Sequence, residues 1–472
     1  MIDAVVVGAG PNGLAAAVAL ATEGLSVKVL EAARVPGGAA RTEALTLPGF
    51  LHDVGSAVYP LGVGSPFFRT LPLADHGLEW VHPEIPLAHP LDGGRAAVLH
   101  RDLDRTVREL GVDGPAYRSL LAPLVRGWPS LARNVLTTPL RIPTAPILMA
   151  RFGLRALRPT DRLAERFRTE EARALLAGNA AHAGIPLDQV PGAAAGLVLM
   201  AAGHAVGWPV PRGGAGALTR SLVSLLEARG GVVVTDHRVE SVDDLPDARA
   251  VLLDLTPRQV VAVAGHRLPA PYARTLEEWR YGPGAFKVDW ALDGPIPWEA
   301  EACRRAGTVH VGGTLEEIAE AERAPWAGEV ADRPFVLLAQ PTVMDPSRAP
   351  DGRHTAWAYC HVPTRWTGDA TAAVEAQVER FAPGFTQRIL ARSVHGPPAL
   401  EAWNANLVGG DVNGGSPTLS QTLGRPVFAR RPWATPVDDL YLCSASTPPG
   451  GGVHGMCGYH AARTALKRSF GR

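Results

Sequence analysis

Three glycines and one glutamate near the amino terminus have the spacing that binds the phosphates and ribose of a dinucleotide. Gly8, Gly10 and Gly13 form the pattern G-x-G-x-x-G, and Glu31 follows at the end of the next run of valines. The first glycine permits a sharp turn, the second lets the backbone approach a pyrophosphate, and the third lets a helix pack closely on a sheet. The glutamate would accept hydrogen bonds from a ribose and repel a 2′-phosphate, which disfavours NADP. Residues expected in the same site are Pro11, Asn12 and Ala32.

A strand, a helix and a second strand must position these residues. The sequence predicts a strand over Ile2–Val7, a helix over 12–22 and a second strand over 27–31. The helix would direct its free N–H groups and the positive end of its dipole at the phosphates. This pattern alone does not distinguish FAD from NAD.

A second pair of glycines, Gly37 and Gly38, stands just after the glutamate, and Arg41 follows it. The segment resembles the extension that FAD enzymes of the glutathione-reductase-like and amine-oxidase-like superfamily lay along the pyrophosphate and ribityl chain of their cofactor. The resemblance favours FAD as the cofactor, with Gly38 and Arg41 as contacts, because a guanidinium pairs well with phosphate oxygens. The alternative for Arg41 is a salt bridge at the surface.

The carboxyl-terminal stretch LYLCSASTPPGGGVHGMCGYHAAR mirrors the arrangement at the amino terminus. LYLCSA is typical of a short buried strand, STPPGGG is too rich in glycine for a helix, and the residues that follow favour a helix. A strand, a glycine loop and a helix N-terminus are therefore expected at both ends of the chain. Ser446 lies in this second loop and is expected to contact the cofactor.

Several motifs, in this order, resemble those of the phytoene desaturase-like family of FAD flavoproteins, a relative of the flavin amine oxidases. They are VVVGAGPNGLAAA with VKVLEA and PGGAARTE, then PGFLHDVGSAVYP, VPRGGAGALTRSL, YGPGAFKVDWAL and the carboxyl-terminal stretch. The resemblance implies an α/β fold with a Rossmann-type, glutathione-reductase-like FAD domain of discontinuous segments and an inserted α+β substrate domain. The FAD-binding domain would comprise residues 1–72, 210–265 and 435–472, and the substrate-binding domain residues 73–209 and 266–434.

In this superfamily the carboxyl-terminal glycine loop brings a helix N-terminus to the pyrimidine ring of the flavin. Backbone N–H groups there stabilise negative charge on the reduced ring. The resemblance therefore implies that Gly452, Val453 and His454 contact the flavin. Further implied contacts are Val239 on the adenine side, Thr256 near the ADP half, and Asp53, Gly55 and Ser56 near the isoalloxazine or ribityl end.

Lys287 is one of only three lysines in the chain and lies in the otherwise apolar segment GPGAFKVDWAL. An ammonium group in such a strand is costly unless it is hydrogen-bonded. The segment is similar to the amine-oxidase strand that puts a lysine near flavin N5 through a water. We therefore expect Lys287 to assist hydride transfer or flavin reoxidation. The alternative is an alternating strand in which Lys287 faces solvent.

His454 is the second candidate catalytic residue because it adjoins the carboxyl-terminal glycine loop. A histidine at that position could donate a hydrogen bond to reduced flavin or move a proton. A capping or packing histidine is the alternative. His182, His204 and His361 are expected in the core or in a pocket wall.

The composition excludes several other classes of protein. Lys+Arg and Asp+Glu both number 46, so the formal net charge is zero and no nucleic-acid partner is indicated. The four cysteines form no CxxC pair or ligand cluster, so neither a disulfide framework nor a metal site is expected. No cysteine precedes Cys303, which excludes a dithiol-dependent disulfide reductase. A second G-x-G-x-x-G is also lacking, so we expect one dinucleotide and a diffusible electron acceptor such as O2 or a quinone.

The sequence predicts a cytoplasmic protein with a candidate membrane-facing segment. No stretch is long and apolar enough for a transmembrane helix, and the first strand leaves no room for a signal peptide. Segment 139–168 alternates apolar residues with seven arginines. A basic amphipathic surface of this kind could make peripheral contact with a membrane, whereas a solvated helix pair with an apolar core face is the alternative. The oligomeric state stays open.

These features together predict an FAD-dependent oxidoreductase that dehydrogenates or desaturates a small apolar or aromatic organic substrate by hydride transfer to flavin. Because the cofactor carries the hard chemistry, no nucleophile or paired carboxylate is required. Alternatives are a double-bond isomerase that uses reduced flavin and a flavin-binding scaffold without catalysis. A further alternative is a flavin amine oxidase acting on a C–N bond, for which an aromatic cage could come from Trp279, Trp290, Trp298 and Trp403.

Overall fold

The computed structural model describes residues 2–472 and contains two large β-sheets that draw on separated parts of the chain. The strands are β1 (Ile2–Val7), β2 (Val27–Leu30), β3 (Thr42–Glu43), β4 (His52–Asp53), β5 (Trp80–Val81), β6 (Ile85–Leu91), β7 (Arg95–Leu99), β8 (Val210–Pro211), β9 (Val232–Val234), β10 (Ala248–Leu253), β11 (Gly284–Leu292), β12 (Ala306–Val311), β13 (Val336–Ala339), β14 (His354–Val362), β15 (Ile389–His395) and β16 (Leu440–Leu442).

Helices cover both sheets and supply most of the connections between strands. They are α1 (Pro11–Thr22), α2 (Pro60–Val63), α3 (Leu103–Glu109), α4 (Gly114–Arg126), α5 (Trp128–Val135), α6 (Pro146–Ala156), α7 (Thr160–Ala164), α8 (Glu170–Ala181), α9 (Ala193–Ala205), α10 (Ala215–Glu227), α11 (Pro257–Ala264), α12 (Ala270–Glu277), α13 (Glu301–Arg305), α14 (Leu315–Arg323), α15 (Pro341–Met344), α16 (Thr371–Phe381), α17 (Pro397–Trp403), α18 (Leu419–Leu423) and α19 (Met456–Ser469).

The first sheet is the parallel frame of a dinucleotide fold. Its order is β16-β10-β1-β2-β9, and every neighbouring pair is parallel. The last four residues of β1 are buried, as expected for a central strand covered on both faces. The predicted strand over Ile2–Val7 is confirmed, while the first helix begins one residue before the prediction and the second strand ends at Leu30.

Both ends of the chain meet at this sheet. β1 and β16 lie on either side of β10, and α19 packs across α1. Gly458 lies at the crossing of these helices, where a Cβ atom would come within 1.8 Å of the Asn12 carbonyl oxygen. Glycine therefore allows the two helices to approach backbone to backbone, and the two glycine loops that precede them become neighbours.

The second sheet is mixed and provides a wall for the site. Its order is β15-β11-β14-β13-β12-β6-β7, with β12 and β6 as its one parallel pair among the described residues. All nine residues of β11 are buried. Phe286, Val288 and Trp290 pack in a hydrophobic core with α16, so Ala285 and Lys287 belong to the opposite face.

The strands of the two large sheets come from different parts of the chain. The strands of the parallel sheet fall within residues 1–72, 210–265 and 435–472, and those of the mixed sheet within 73–209 and 266–434. The domain boundaries themselves stay a prediction. Within residues 2–472, no helix has both the length and the apolar character to cross a bilayer.

We expect Gly458→Ala to lower the free energy of unfolding by roughly 1–3 kcal/mol, because an added methyl group overpacks the α1–α19 crossing. Gly153→Ala is the matched control: Gly153 lies in α6, and a Cβ atom there meets nothing within 4 Å. That control should be neutral or stabilise the protein by about 0.5–1 kcal/mol. Denaturant unfolding measures both, and equal stability of the two variants would contradict so close a crossing.

Candidate active site and cofactor cleft

A cavity of about 880 Å³ is lined by residues from both sheets and from both ends of the chain. Part of its lining comes from the two glycine loops and the carboxyl ends of the parallel strands. Another part comes from α6, α9 and one face of the mixed sheet. The predicted residues that line it are Gly10, Pro11, Asn12, Gly38, Gly55, Ser56, Thr256, Lys287, Ser446, Gly452, Val453 and His454.

The two amino-terminal glycine pairs form a cradle that side chains would fill. A Cβ atom on Gly38 would lie 3.0 Å from the Cα atom of Gly10, and Gly38 has a positive φ. Both residues line the cavity, so an extended ligand can reach bare backbone here. This arrangement fits the pyrophosphate of a dinucleotide at the N-terminus of α1.

Asp254 is a residue of this cradle that the sequence analysis missed. Its Oδ2 accepts a hydrogen bond from the backbone N–H of Gly13 at 2.9 Å, and a Cβ atom on Gly10 would lie 2.6 Å from the same oxygen. The glycine pattern therefore accommodates a buried carboxyl group from β10's end as well as a ligand. Burial raises the pKa of Asp254 to about 7, and the charge of Glu31 acts in the same direction. A carboxyl group that is partly neutral near pH 7 repels phosphate less.

The sequence does contain one signal for the position of Asp254. β10 is an apolar strand that runs parallel to β1, and an acid directly after such a strand lies at the ligand-binding edge of the sheet.

Glu31 lies behind the cavity lining and is held by the backbone. Its two carboxylate oxygens accept hydrogen bonds from the N–H groups of Ala9 at 2.7 Å and Ala33 at 2.8 Å. The N–H of His237 donates to the Glu31 carbonyl at 2.9 Å, so the segment that carries Val239 runs beside the glutamate. The structure thus places Glu31, which was predicted to contact the ribose, near Val239, which was predicted on the adenine side. Predicted residues outside the cavity lining are Gly8, Gly13, Glu31, Ala32, Arg41 and Val239.

Arg41 and Asp53 both contact other groups of the protein. The Arg41 guanidinium stacks on the ring of Trp403 at 4.1 Å and lies 3.6 Å from Glu43; its side chain is largely buried, so it is not a surface salt bridge of the predicted kind. Asp53 accepts hydrogen bonds from the Thr42 hydroxyl at 2.7 Å and the Ala215 N–H at 2.8 Å. Asp53 therefore fixes the N-terminus of α10 and does not line the cavity.

Lys287 is buried, lines the cavity and forms an ion pair with Asp289 on the same strand. The alternative that Lys287 faces solvent is therefore wrong. Its ammonium lies 5.7 Å from the centre of the Trp357 ring. Burial lowers the pKa of Lys287, although the charge of Asp289 opposes this, and burial raises the pKa of Asp289 to about 6. The opposite charges of the pair thus offset part of the cost of burying each group.

His454 lines the cavity, and its ring is fixed by the backbone of its own loop. Its Nδ1 accepts a hydrogen bond from the Met456 N–H at 3.0 Å, so the proton of the neutral ring resides on Nε2. That Nε2 is buried and has no hydrogen-bond partner among residues 2–472. Burial lowers the pKa of His454 to about 4, which keeps the ring neutral at pH 7. Nδ1 can therefore serve the predicted capping role while Nε2 stays available for the predicted donor role.

The remaining lining is apolar, apart from a few amides, hydroxyls and basic side chains. The rings of Trp357 and Tyr359 lie 5.4 Å apart at 70°, an edge-to-face arrangement that does not enclose an ammonium between two faces. The tryptophans considered for an aromatic cage lie outside the lining. Apolar residues of the cavity include Leu136, Met149, Phe152, Leu157, Ile185, Ala194, Val198, Leu199, Leu337 and Leu407.

The other candidate residues occupy supporting positions. His182 lines the cavity, His204 is buried against the Tyr117 hydroxyl, and His361 is buried against Glu322. All four cysteines are free and buried. Within the described part of the chain, no group of three or more His, Cys, Asp or Glu residues could hold a metal ion.

Comparison with known proteins agrees with this geometry. Residues 6–71 match the model of the NAD(P)-binding Rossmann-like domain. The chain is 28% identical to "Pyridine nucleotide-disulfide oxidoreductase domain-containing protein 2" of Mus musculus, over 98% of this chain and 93% of that protein. It is 27% identical to "Phytoene dehydrogenase" of Streptomyces griseus, over 77% of this chain and 73% of that protein. A solved putrescine oxidase shares the fold with a TM-score of 0.62 at 17% identity, covering 99% and 98% of the two chains.

The fold and the site define a Rossmann-type oxidoreductase with an α/β nucleotide-binding domain. The chain is an oxidoreductase that is similar in sequence to a phytoene dehydrogenase and a phytoene desaturase, and it shares its fold with solved putrescine and cyclohexylamine oxidases.

Proposed function

We propose that this chain binds FAD and dehydrogenates or desaturates an apolar organic substrate. Support for FAD comes from the joint lining of one cavity by the loop at Gly10 and the loop at Gly452, since these loops would contact the ADP and flavin ends of one cofactor. Bound flavin would accept the hydride and pass its electrons to a diffusible acceptor such as O2 or a quinone.

One observation carries the choice of an apolar substrate: the cavity lining contains a single carboxyl group among the described residues, Asp254, and it lies at the dinucleotide cradle. An amine substrate that binds as an ammonium ion would have no acid beside it in the apolar part of the cavity. A hydrocarbon chain loses nothing by entering such a lining. These facts favour C–C over C–N dehydrogenation.

Two residues are proposed to assist the reaction. Lys287, buried beside Asp289, would hold a proton or a water near the redox ring and assist hydride transfer or reoxidation. His454 would donate its free Nε2–H to the ring as negative charge develops there. Neither residue is required to bind the apolar part of the substrate.

We expect phytoene to bleach the flavin of the purified holoenzyme under anaerobic conditions and putrescine to leave it oxidised. Stopped-flow absorbance measures the rate of bleaching, and product analysis detects the new double bond. Lys287→Met and His454→Asn should each slow reduction or reoxidation by about 10²-fold, as for the loss of a group that moves a proton or stabilises charge.

The controls separate the proposals. Lys28→Met removes an ordinary strand lysine outside the cavity and should change neither rate. Bleaching by putrescine with no response to phytoene would favour a flavin amine oxidase, and turnover without consumption of an acceptor would favour an isomerase. Wild-type rates in Lys287→Met and His454→Asn would end the roles proposed for these residues.

We also propose that the region of α6 contacts a membrane at the cavity entrance. Ile142, Ile147 and Leu154 are 86%, 72% and 75% exposed, far more than large apolar side chains usually are. Met149 and Phe152 of the same helix line the cavity. An apolar substrate could therefore pass from a bilayer into the cavity without crossing water. The arginines of segment 139–168 would favour anionic lipid.

We expect the protein to sediment with phosphatidylglycerol vesicles and much less with phosphatidylcholine vesicles. Ile147→Ser combined with Leu154→Ser should reduce this binding at least several-fold, because both side chains would be lost from the apolar contact. Val112→Ser is the control, since Val112 is 58% exposed and lies outside segment 139–168. Equal sedimentation of the double variant and the control would contradict the proposed contact.

A further inference from the structure

The carboxyl group of Asp254 lies inside the cradle that would hold the pyrophosphate of a dinucleotide. Its Oδ2 accepts the backbone N–H of Gly13 at 2.9 Å, and a Cβ atom on Gly10 would lie 2.6 Å from the same oxygen. Its Oδ1 has no hydrogen-bond partner within residues 2–472 and is not fully enclosed by protein atoms. Because Asp254 is 6% exposed and lines the cavity, this free oxygen faces the space that a ligand would occupy.

The surrounding backbone holds this carboxyl group in place. The N–H of Asp254 donates to the Val7 carbonyl at 2.8 Å, and the side-chain amide of Asn406 donates to the Asp254 carbonyl at 2.8 Å. Cβ atoms on Gly8 and Gly13 would each lie 3.1 Å from the Cβ atom of Asp254, so the first turn and α1 pack directly against this side chain. The carboxyl group therefore stays beside any anion that enters the cradle.

A negative charge on Asp254 would repel the pyrophosphate, and no basic side chain of residues 2–472 acts on this carboxyl group. The charged side chain that does act on it, Glu31, is itself acidic. The thiols of Cys443 and Cys457 lie near it, and burial raises the pKa of both, so both are neutral near pH 7. A neutral carboxyl group removes the repulsion, and its O–H donates a hydrogen bond to a phosphate oxygen. Burial and the charge of Glu31 raise the pKa of Asp254 to about 7, so the neutral form is accessible.

The other titratable groups of the cavity lining do not offer a neutral acid to the cradle. Burial lowers the pKa of His182 to about 3 and that of His454 to about 4, so both rings are neutral near pH 7. Burial raises the pKa of Tyr359, which keeps its hydroxyl neutral as well. Lys287 lies on the mixed sheet, where it is paired with Asp289, and the arginines of the lining stay charged.

We propose that Asp254 binds the pyrophosphate of the dinucleotide as a neutral acid, so that binding takes up one proton from solvent. This proposal rests on the proposed function and deepens it, because it assigns the chemistry by which the cradle accepts its cofactor. The step balances: one proton moves from solvent to Oδ1, the new O–H donates to a phosphate oxygen, and Oδ2 keeps the Gly13 N–H. Below about pH 7 the acid is already neutral. Above it, each pH unit weakens binding by up to about tenfold.

Titration of the apoprotein with FAD from about pH 6 to about pH 9, followed by flavin fluorescence, tests the proposal without turnover. We expect the dissociation constant to rise by up to about 10²-fold between pH 7 and pH 9. Asp254→Asn should remove this rise and bind FAD more tightly than the wild type at pH 9, because its amide keeps the Gly13 contact and donates as the neutral acid does. Asp411→Asn is the matched control and should keep the wild-type slope. Burial also raises the pKa of Asp411, but its carboxylate accepts the Gly282 N–H at 2.9 Å outside the cavity lining.

Calorimetry of the wild type in two buffers of different ionisation enthalpy counts the protons and needs no variant. It should show about one proton taken up per FAD near pH 8. No uptake, or an unchanged slope in Asp254→Asn, would overturn the proposal, as would a slope that is lost in Lys287→Met instead.

ADP separates this proposal from the proposed function, because its two phosphates would occupy the same cradle. Binding of ADP with the same pH dependence, but no binding of FAD, would count against the proposed function alone. Binding of ADP that does not depend on pH would overturn this proposal, and binding of neither ligand would overturn both.

Discussion

Close backbone contact at the carboxyl edge of the parallel sheet is the constraint on which the rest of the structure depends. A Cβ atom on Gly13 would lie 2.0 Å from the Gly8 carbonyl oxygen, and one on Gly458 would lie 1.8 Å from the Asn12 carbonyl oxygen. Because both positions are glycine, α1 can pack closely on β1 and α19 can pack closely on α1. As a result, loops separated by more than four hundred residues in sequence share one cavity, and a single extended cofactor can contact both.

The mixed sheet forms one wall of the cavity beside the carboxyl edge of the parallel sheet. One face of β11 and β14 is ordinary hydrophobic core, while the other carries Lys287, Tyr359 and His361 towards the cavity side. Burying charge on that face is tolerated because each charge has a partner: Lys287 with Asp289, and His361 with Glu322. The architecture thus combines an apolar cavity with a few groups able to hold or move a proton.

The sequence predicted the parts of the site that local pattern determines. The first strand and the glycine loops were predicted because strand, turn and helix signals coincide there. Asp254 and Glu322 were missed for a physical reason. Glu322 belongs to the charged segment EEIAEAER, in which nothing local distinguishes it from its exposed neighbours, and only the packing of α14 on the sheet buries it. Pairs formed by long-range packing leave no local periodicity to read.

The central claim is that both ends of the chain hold one dinucleotide through its ADP and flavin halves together. Titration of the apoprotein with FAD and with FMN, followed by flavin fluorescence, tests it most directly. The account predicts one FAD bound per chain and far weaker binding of FMN, because FMN lacks the half that the loop at Gly10 would contact. Equal affinity for FMN, or no binding of either flavin, would contradict it.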